Sequence, residues 1–478
     1  MGKLRILSRA GLLMSMMPLS ALAGDWIVQL KDSSQLQKLA QHYGSSITTL
    51  HQSTKLYKFS LPSGPVGDLL AAILGNDPQV QSIERDHMVG LPKSNNANTT
   101  GHSVASLPAN CNTFSIPEAP PKFPSQTPAS AYSLYLHQVS NCIVNAPGAW
   151  QRNFKAYRFG SVQVAVIDTG VDFSNPVLAG TAMGAVDVTG ADDPSGILAQ
   201  ETSPMVDQET SPMVDQETSP MVDAADTIIL NQETSPMVDQ ETSPMVDQKG
   251  HKLPEALGHG TMVAGIIHLV APNAQILSIK AFTTGGKASL SSILAALGVA
   301  IDQGVDVINA SWSVNEYSQA LADKIAQAQL KNIIIVGAVA NNSSPQIVYP
   351  AGLPFAIGVG CTDSSDNRCS FSNYGSDVNL AAPGSGITST FPMSYVSNGV
   401  TYPLSGFATG WGTSFSTPYV AGTVALLRSL KNQQNKDAVQ TARDLGTGAD
   451  PLPRYLQLGA GRLDIFGAYV AASGSSGN

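Results

Sequence analysis

The chain has 478 residues, of which 43% are hydrophobic and 13% are charged. This length is too great for one ordinary domain, and this apolar fraction excludes a fully disordered protein, so two or three folded units are expected. The net charge is −9, but residues 201–248 hold eleven acidic residues and no Lys or Arg, which leaves +2 for the rest. The acidity therefore belongs to one segment, and we expect no nucleic-acid partner.

Residues 1–23 have the pattern of a secretory signal peptide. Basic residues precede an apolar stretch from Ala10 to Leu22, and Ala21-Leu22-Ala23 provides a small-residue cleavage site. The alternative is a membrane anchor, but the apolar stretch is short for a bilayer. We therefore expect a secreted protein, extracellular or periplasmic, without a membrane anchor.

The next predicted elements, from Asp25 to Val89, follow the order strand, helix, strand, strand, helix, strand. This order is that of a split βαβ, ferredoxin-like α+β unit. Residues 93–131 are rich in Pro, Asn and Ser without periodicity and indicate a linker. The predicted elements are strands at 26–30, 47–50, 57–61 and 80–83 and helices at 33–42 and 66–74.

From residue 132 onward, continuous apolar runs alternate with helical patterns. Strands that are apolar throughout are typical of a parallel sheet covered by helices on both faces, so the fold class is α/β. The predicted strands are 162–167, 274–281, 305–309, 333–338 and 355–359, and the predicted helices are 290–303, 320–330 and 419–430.

Residues 201–248 interrupt this alternation with six eight-residue units. The sequence E-T-S-P-M-V-D-Q occurs four times, once more with a final Ala224, and a diverged octet spans Ala225 to Gln232. A unit with one Pro, two acids and little apolar mass cannot form a core. We expect a disordered, extended surface loop.

The four cysteines of an exported chain allow three disulfide pairings. Cys361 and Cys369 flank a turn-rich stretch between two strand-like runs, which favours a bridge across a hairpin. Cys111 would then pair with Cys142. The alternative for each cysteine is a free buried thiol.

Three short motifs carry candidate chemistry. Asp168 ends an apolar strand, His259 lies in Gly-His-Gly-Thr at the start of an apolar helix, and Ser414 lies in a Gly-Thr-Ser turn before a helix. Each alone has an ordinary alternative, as a helix cap, a structural histidine or a turn. Together they supply the acid, base and nucleophile that an activated serine needs.

These motifs, in this order, closely resemble those of the subtilase (subtilisin-like, peptidase S8) family of serine proteases. The resemblance covers residues 135–472 and implies a catalytic domain at 132–473 with the repeats inserted at 201–248. It implies that Asn341 stabilises the oxyanion, with Asn342 as the competing choice because Ala340 stands where Gly is usual. It also implies that residues 24–92 are an I9-type inhibitory propeptide, which acts as a folding template and then occupies the active-site cleft.

The chain departs from the family in two respects. Val177 replaces the acid of a calcium site found in many subtilases, and the loop that would interrupt the His259 helix is missing, so we expect no metal and no cofactor. The residues aligned with the substrate pocket are larger than usual, which implies a shallow primary pocket that favours small or medium side chains. These aligned residues are Ser311, Trp312, Ser313, Ala340 and Val348.

The resemblance implies a monomeric serine endopeptidase that cleaves protein or peptide substrates through an acyl-enzyme. The alternatives are a catalytically dead binding protein and a surface adhesin that uses this fold as a scaffold for the repeats.

Overall fold

The computed structural model describes residues 23–91, 121–125, 127–148, 162–189, 228–229, 253–397, 400–430 and 437–473. The chain divides into two compact units, with the boundary between His87 and Met88. The predicted signal peptide, most of the linker and nearly all of the repeats lie outside the described residues. No described helix combines the length and the apolar character needed to cross a bilayer.

The first unit is a four-stranded antiparallel sheet with two helices, in the predicted element order. The strands lie in the order β2-β3-β1-β4. Its core is one cluster that includes Tyr57, Phe59 and Leu74, all fully buried. The elements are β1 (Ala23–Leu30), α1 (Leu36–Tyr43), β2 (Ser46–His51), β3 (Leu56–Pro62), α2 (Pro65–Gly75) and β4 (Val80–Arg85).

The second unit contains the remaining elements. Its strands are β5 (Met88–Gly90), β6 (Gln163–Asp168), β7 (Ala182–Asp187), β8 (Ile228–Ile229), β9 (Gln275–Lys280), β10 (Lys287–Ser289), β11 (Val307–Ala310), β12 (Ile334–Ala338), β13 (Ala356–Thr362), β14 (Leu380–Pro383), β15 (Ile387–Thr390), β16 (Ser394–Ser397), β17 (Val400–Pro403) and β18 (Phe407–Gly410). Its helices are α3 (Ala129–His137), α4 (Val139–Ile143), α5 (His259–Val270), α6 (Leu290–Gln303), α7 (Gln319–Leu330), α8 (Thr413–Arg428), α9 (Ala438–Gly448) and α10 (Ile465–Ser473).

A seven-stranded parallel sheet forms the centre of this unit, in the order β14-β13-β12-β11-β6-β9-β7. Strands β11 and β12 are buried along their whole length. Side chains of such a strand must be apolar on both faces, which is why the sequence shows continuous runs rather than alternation. The predicted α/β class with a parallel sheet is confirmed.

Helix α8 differs from its prediction, since it begins at Thr413 and not at Tyr419. Pro418 is the source of the error, because proline is expected only in the first turn of a helix. Gly412, with φ of 149°, precedes the helix and ends the turn earlier than the sequence suggests. Ser414 consequently lies in the first turn of the helix and not in a loop before it.

A disulfide joins Cys361 to Cys369. Cys142 is also disulfide-bonded, and its predicted partner, Cys111, lies outside the described residues. Within the repeat segment, Ile228 and Ile229 pair in parallel with β18. At these two residues the expectation of disorder is wrong, and the reason is that the diverged octet replaces the Pro-Met of the repeat with two β-branched residues, Ile228 and Ile229.

Candidate active site

Asp168 and His259 form a fully buried pair. The carboxylate Oδ1 lies 2.7 Å from His259 Nδ1, and both side chains are 0% exposed. The same oxygen accepts the backbone N–H of Thr169 at 2.7 Å. The Asp168 carboxylate accepts a hydrogen bond from Nδ1 of His259, so Nδ1 carries the proton of the neutral ring. Nε2 is then the unprotonated nitrogen. His259 Nε2 is buried and has no hydrogen-bond partner among the described residues.

Two glycines allow the acid and the base to approach each other. Gly258 precedes α5 with φ of 74°, which places His259 at the first residue of the helix. A Cβ on Gly260 would lie 2.3 Å from the carbonyl oxygen of Gly170 and 3.1 Å from Asp168 Cβ. The Gly-His-Gly pattern is therefore required by the close contact of α5 with the end of β6.

Ser414 is the second residue of α8. Its residue is 2% exposed, and the neighbouring Phe415 ring has its centroid 5.5 Å from that of His259. The dipole of α8 also favours negative charge at this N-terminus. This position suits a serine whose attack creates an anion.

Asn341 lies directly against the turn that carries Ser414. Its Oδ1 accepts the backbone N–H of Thr413 at 2.9 Å and the Thr413 hydroxyl at 2.8 Å. A Cβ on Gly412 would lie 3.2 Å from Asn341 Nδ2 and 3.7 Å from both the N and the Oγ of Ser414. Two N–H groups and the hydroxyl thus surround one point, which only a glycine leaves open. The backbone N–H of Asn342 instead donates to Asn373 Oδ1 at 2.9 Å.

The five residues predicted to bind substrate lie near this turn but in different settings. Ser311 donates its hydroxyl to the carbonyl of Ser414 at 2.7 Å. Trp312 is fully buried, with its ring 6.3 Å from that of Phe282. The other three, Ser313, Ala340 and Val348, are also buried, at 8%, 2% and 0% exposure.

Backbone conformation sets the positions of Ala340 and of residues 311–313. Ala340 has φ of 73°, a conformation in which glycine is favoured, so its methyl group is held at a cost in strain. Strand β11 ends at Ala310, and Val314 forms an antiparallel bridge with Tyr349. Residues 311–313 therefore lie between the sheet and this bridge.

No pattern in the sequence indicates the short strand β10. It pairs antiparallel with β5, and Val89 aligns with Ala288. Val89 and Leu91 are 4% and 5% exposed, whereas Met88 is 65% exposed. A three-residue strand after two glycines is too short for its periodicity to be recognised.

One buried cation lies at the same edge of the sheet. Lys280 ends β9, aligned with Asp168 on β6 and with Asp187 on β7. Burial lowers the pKa of Lys280, and the Asp187 carboxylate opposes that shift. Among the described residues, no three His, Cys, Asp or Glu side chains are grouped to hold a metal ion.

Residues 160–448, about three fifths of the chain, match the Subtilase family (Peptidase S8). The chain belongs to the subtilase family. An alkaline protease of Alkalihalobacillus alcalophilus is 36% identical over 204 residues, which cover 40% of this subtilase and 51% of the relative. Subtilisin Savinase of Lederbergia lenta is 36% identical over 204 residues, with 40% and 72% covered. This subtilase thus spans about half the length of the first of these relatives.

A solved structure shows the same fold. Fervidolysin from Fervidobacterium pennivorans, a keratinolytic enzyme related to subtilisin, superposes with a TM-score of 0.62 at 20% identity. The match covers 95% of this subtilase and 62% of fervidolysin. At this identity the likeness establishes a subtilisin-like fold and nothing finer.

Proposed function

We propose that this subtilase is a secreted serine endopeptidase with Ser414 as nucleophile, His259 as base, Asp168 as its orienting acid and Asn341 as oxyanion donor. The observation that carries the proposal is the buried Asp168–His259 pair, in which Nδ1 faces the carboxylate and Nε2 has no hydrogen-bond partner among the described residues. His87 and His268 also each have a buried ring nitrogen without a partner in the described part of the chain, but of these three histidines only His259 has its other ring nitrogen on a buried carboxylate.

The proposed reaction follows from these positions. His259 Nε2 takes the proton of Ser414 as Oγ attacks the scissile carbonyl carbon, and Asp168 stabilises the imidazolium that forms. The backbone N–H of Ser414 and Nδ2 of Asn341 donate to the oxyanion. Collapse of this intermediate breaks the C–N bond, and His259 returns the proton to the leaving amine. Water, activated by the same imidazole, then hydrolyses the acyl-enzyme and releases the acid.

We also propose that residues 24–92 inhibit the enzyme before maturation. Residues 88–91 support this, because β5 is added to β10 as an antiparallel strand in the manner of a bound peptide. Val89 and Leu91 are buried and the intervening Gly90 is exposed, as alternation along a docked strand requires. The strand therefore resembles a substrate whose side chains enter two pockets.

Secretion is part of the proposal and rests on the signal-peptide pattern of residues 1–23. Protein and peptide substrates are proposed, with small or medium side chains before the cut. The buried Val348 and Ala340 support this preference, because their methyl groups occupy volume that a large ring would need.

A fluorophosphonate probe tests the proposed function directly, because it reacts only with a serine activated by a base. We expect labelling of matured protein, with the adduct mapped by mass spectrometry to Ser414. The Ser414→Ala variant should not be labelled. Ser416→Ala is the matched control, since Ser416 is fully buried two residues away and its hydroxyl has no hydrogen-bond partner in the part of the chain that the structure describes. Absence of labelling in matured wild-type protein would overturn the proposal in favour of a scaffold without activity.

A further inference from the structure

The backbone carbonyl of Ser414 lacks the usual hydrogen-bond donor of an α-helix. In an α-helix this carbonyl would accept the N–H of the residue four positions later. That residue is Pro418, inside α8, which has no N–H. Since Ser414 is 2% exposed, a carbonyl without a partner here would be costly.

Ser311 supplies the missing donor. Its Oγ lies 2.7 Å from the Ser414 carbonyl oxygen, and Asn309 Nδ2 lies 2.9 Å from Ser311 Oγ. The direction of both bonds is fixed chemically, because an amide nitrogen only donates and a carbonyl oxygen only accepts. Asn309 and Ser311 are both 0% exposed, so water does not compete for these bonds.

These contacts hold the nucleophile on both sides. Asn341 Oδ1 accepts the N–H of Thr413, in the residue before Ser414. The Ser311 hydroxyl donates to the backbone carbonyl of Ser414 itself. Together the two bonds restrict rotation on either side of the nucleophile, and thereby the direction of its Oγ and of its oxyanion-binding N–H.

We propose that Ser311, oriented by Asn309, is a positioning residue that replaces the helical hydrogen bond lost to Pro418 and so fixes Ser414 for attack. This inference rests on the proposed function. In this inference the Ser311 hydroxyl forms a hydrogen bond with the enzyme's own backbone. The resemblance to the family instead places Ser311 in the substrate pocket. The Ser311 hydroxyl, whose only proton is committed to the Ser414 carbonyl, is not a hydrogen-bond donor to substrate.

A double-mutant cycle tests the proposal, because Pro418→Ala restores the N–H that Ser311 replaces. Ser311→Ala alone should lower kcat on a short peptide about 10-fold, the scale of one buried carbonyl left unpaired, with KM nearly unchanged. The rate of fluorophosphonate labelling should fall by the same factor. In the Pro418→Ala background, the Ser311→Ala change should cost less than about threefold, since the helix now satisfies the carbonyl.

Ser405→Ala is the control for loss of a buried hydroxyl. Ser405 is 0% exposed and donates to the Phe407 carbonyl at 2.7 Å, the same geometry away from α8. It should lower Tm as Ser311→Ala does, without the fall in kcat. If Ser311→Ala alone does not fold, recovery of folded, active protein in the double variant supports the proposal, and failure to recover overturns it.

Three results would overturn the inference while leaving the proposed function intact. They are an unchanged kcat in Ser311→Ala, a rise in KM alone, and an equal loss in both backgrounds. Wild-type matured protein that neither hydrolyses peptides nor reacts with the probe would overturn the proposed function, and this inference with it.

Discussion

The two units of the chain bury different kinds of side chain, although both are built from strands and helices. In the described part of the first unit, His51 is the only fully buried polar or charged residue. The second unit buries many, including Asp168, His259, Lys324 and Asn341, each at 2% exposure or less. The first unit is thus stabilised by one apolar cluster, whereas the second places polar groups where burial is costly.

This difference shows where function constrains the sequence. The template and inhibitor role proposed for the first unit needs only a stable shape, which a single apolar face of the sheet provides. A catalytic unit needs oriented donors and acceptors away from water, because electrostatic stabilisation is stronger there. Five changes test this distinction between the units.

Removal of the nucleophile should have the largest effect. Ser414→Ala should abolish hydrolysis of a chromogenic peptide, because it removes the proposed nucleophile, and should leave the precursor at full length. Gel analysis and N-terminal sequencing of secreted protein measure both results. Normal mature protein from this variant would show that another protease performs the maturation.

Loss of the oxyanion donor should have the next largest effect. Asn341→Ala should lower kcat on the order of 10²–10³-fold, because one preorganised N–H to the oxyanion is removed. Asn342→Ala is the matched control and should stay within a few-fold of wild type. The opposite result, with the loss in Asn342→Ala, would move the oxyanion role by one residue.

The strand at the start of the second unit offers a test of inhibition. The propeptide carrying Val89→Asp, added to the mature enzyme, should inhibit it more weakly than the wild-type propeptide does. We expect a Ki about 10–100-fold higher than that of the wild-type propeptide, since a charge replaces a buried valine. Met88→Asp, at a residue that is 65% exposed, is the control and should change Ki little. Equal effects of the two substitutions would contradict docking of β5 as a substrate-like strand.

A buried charge without a catalytic role should destabilise the second unit. Burial lowers the pKa of Lys324 to about 7, and nearby Asp302 opposes this shift. Below pH 7, Lys324 is charged in both the folded and the unfolded state. The full free-energy cost of burying the charge then lowers the stability of the fold. Between pH 7 and 10.5 the unfolded chain binds more protons, so stability rises with pH.

Lys324→Met should therefore raise Tm by a few degrees, on the order of 2–4 °C, at pH 7, and by less at pH 10. Calorimetry in the Ser414→Ala background avoids self-digestion. Lys287→Met, at an exposed lysine of the same unit, is the control and should give no such gain. A gain independent of pH would indicate an effect of packing rather than charge.

Deletion of the repeats should have the smallest effect. Removing 201–224 and 233–248 but keeping the octet with Ile228 and Ile229 should leave kcat and KM on short peptides near normal. The repeats have too little apolar mass to offset the entropy of ordering them. Removing all of 201–248 also removes the pairing of β8 with β18, so a loss confined to this second variant would assign a structural role to Ile228–Ile229. A loss in the first variant would contradict our interpretation of the repeats.

Much of the fold was predictable because its signals are local. The apolar runs of β6, β11 and β12 and the helix at 290–303 were predicted within one or two residues. Strand β7 was missed because it lies at the sheet edge, where partial exposure weakens its apolar pattern. The start of α8 was misplaced because Pro418 lies inside the helix and breaks the local rule that keeps proline to the first turn.

The sequence by itself determined the family, the parallel sheet and three motifs in the order acid, base, nucleophile. The reason is that each depends on neighbouring residues: strand periodicity, glycines beside His259 and Ser414, and an acid at the end of a strand. Tertiary structure alone decided which residues meet across the chain. The bond of Ser311 to Ser414 spans 103 positions and that of Asn341 to Thr413 spans 72. No local pattern encodes such bonds, because they depend on how distant strands and helices pack.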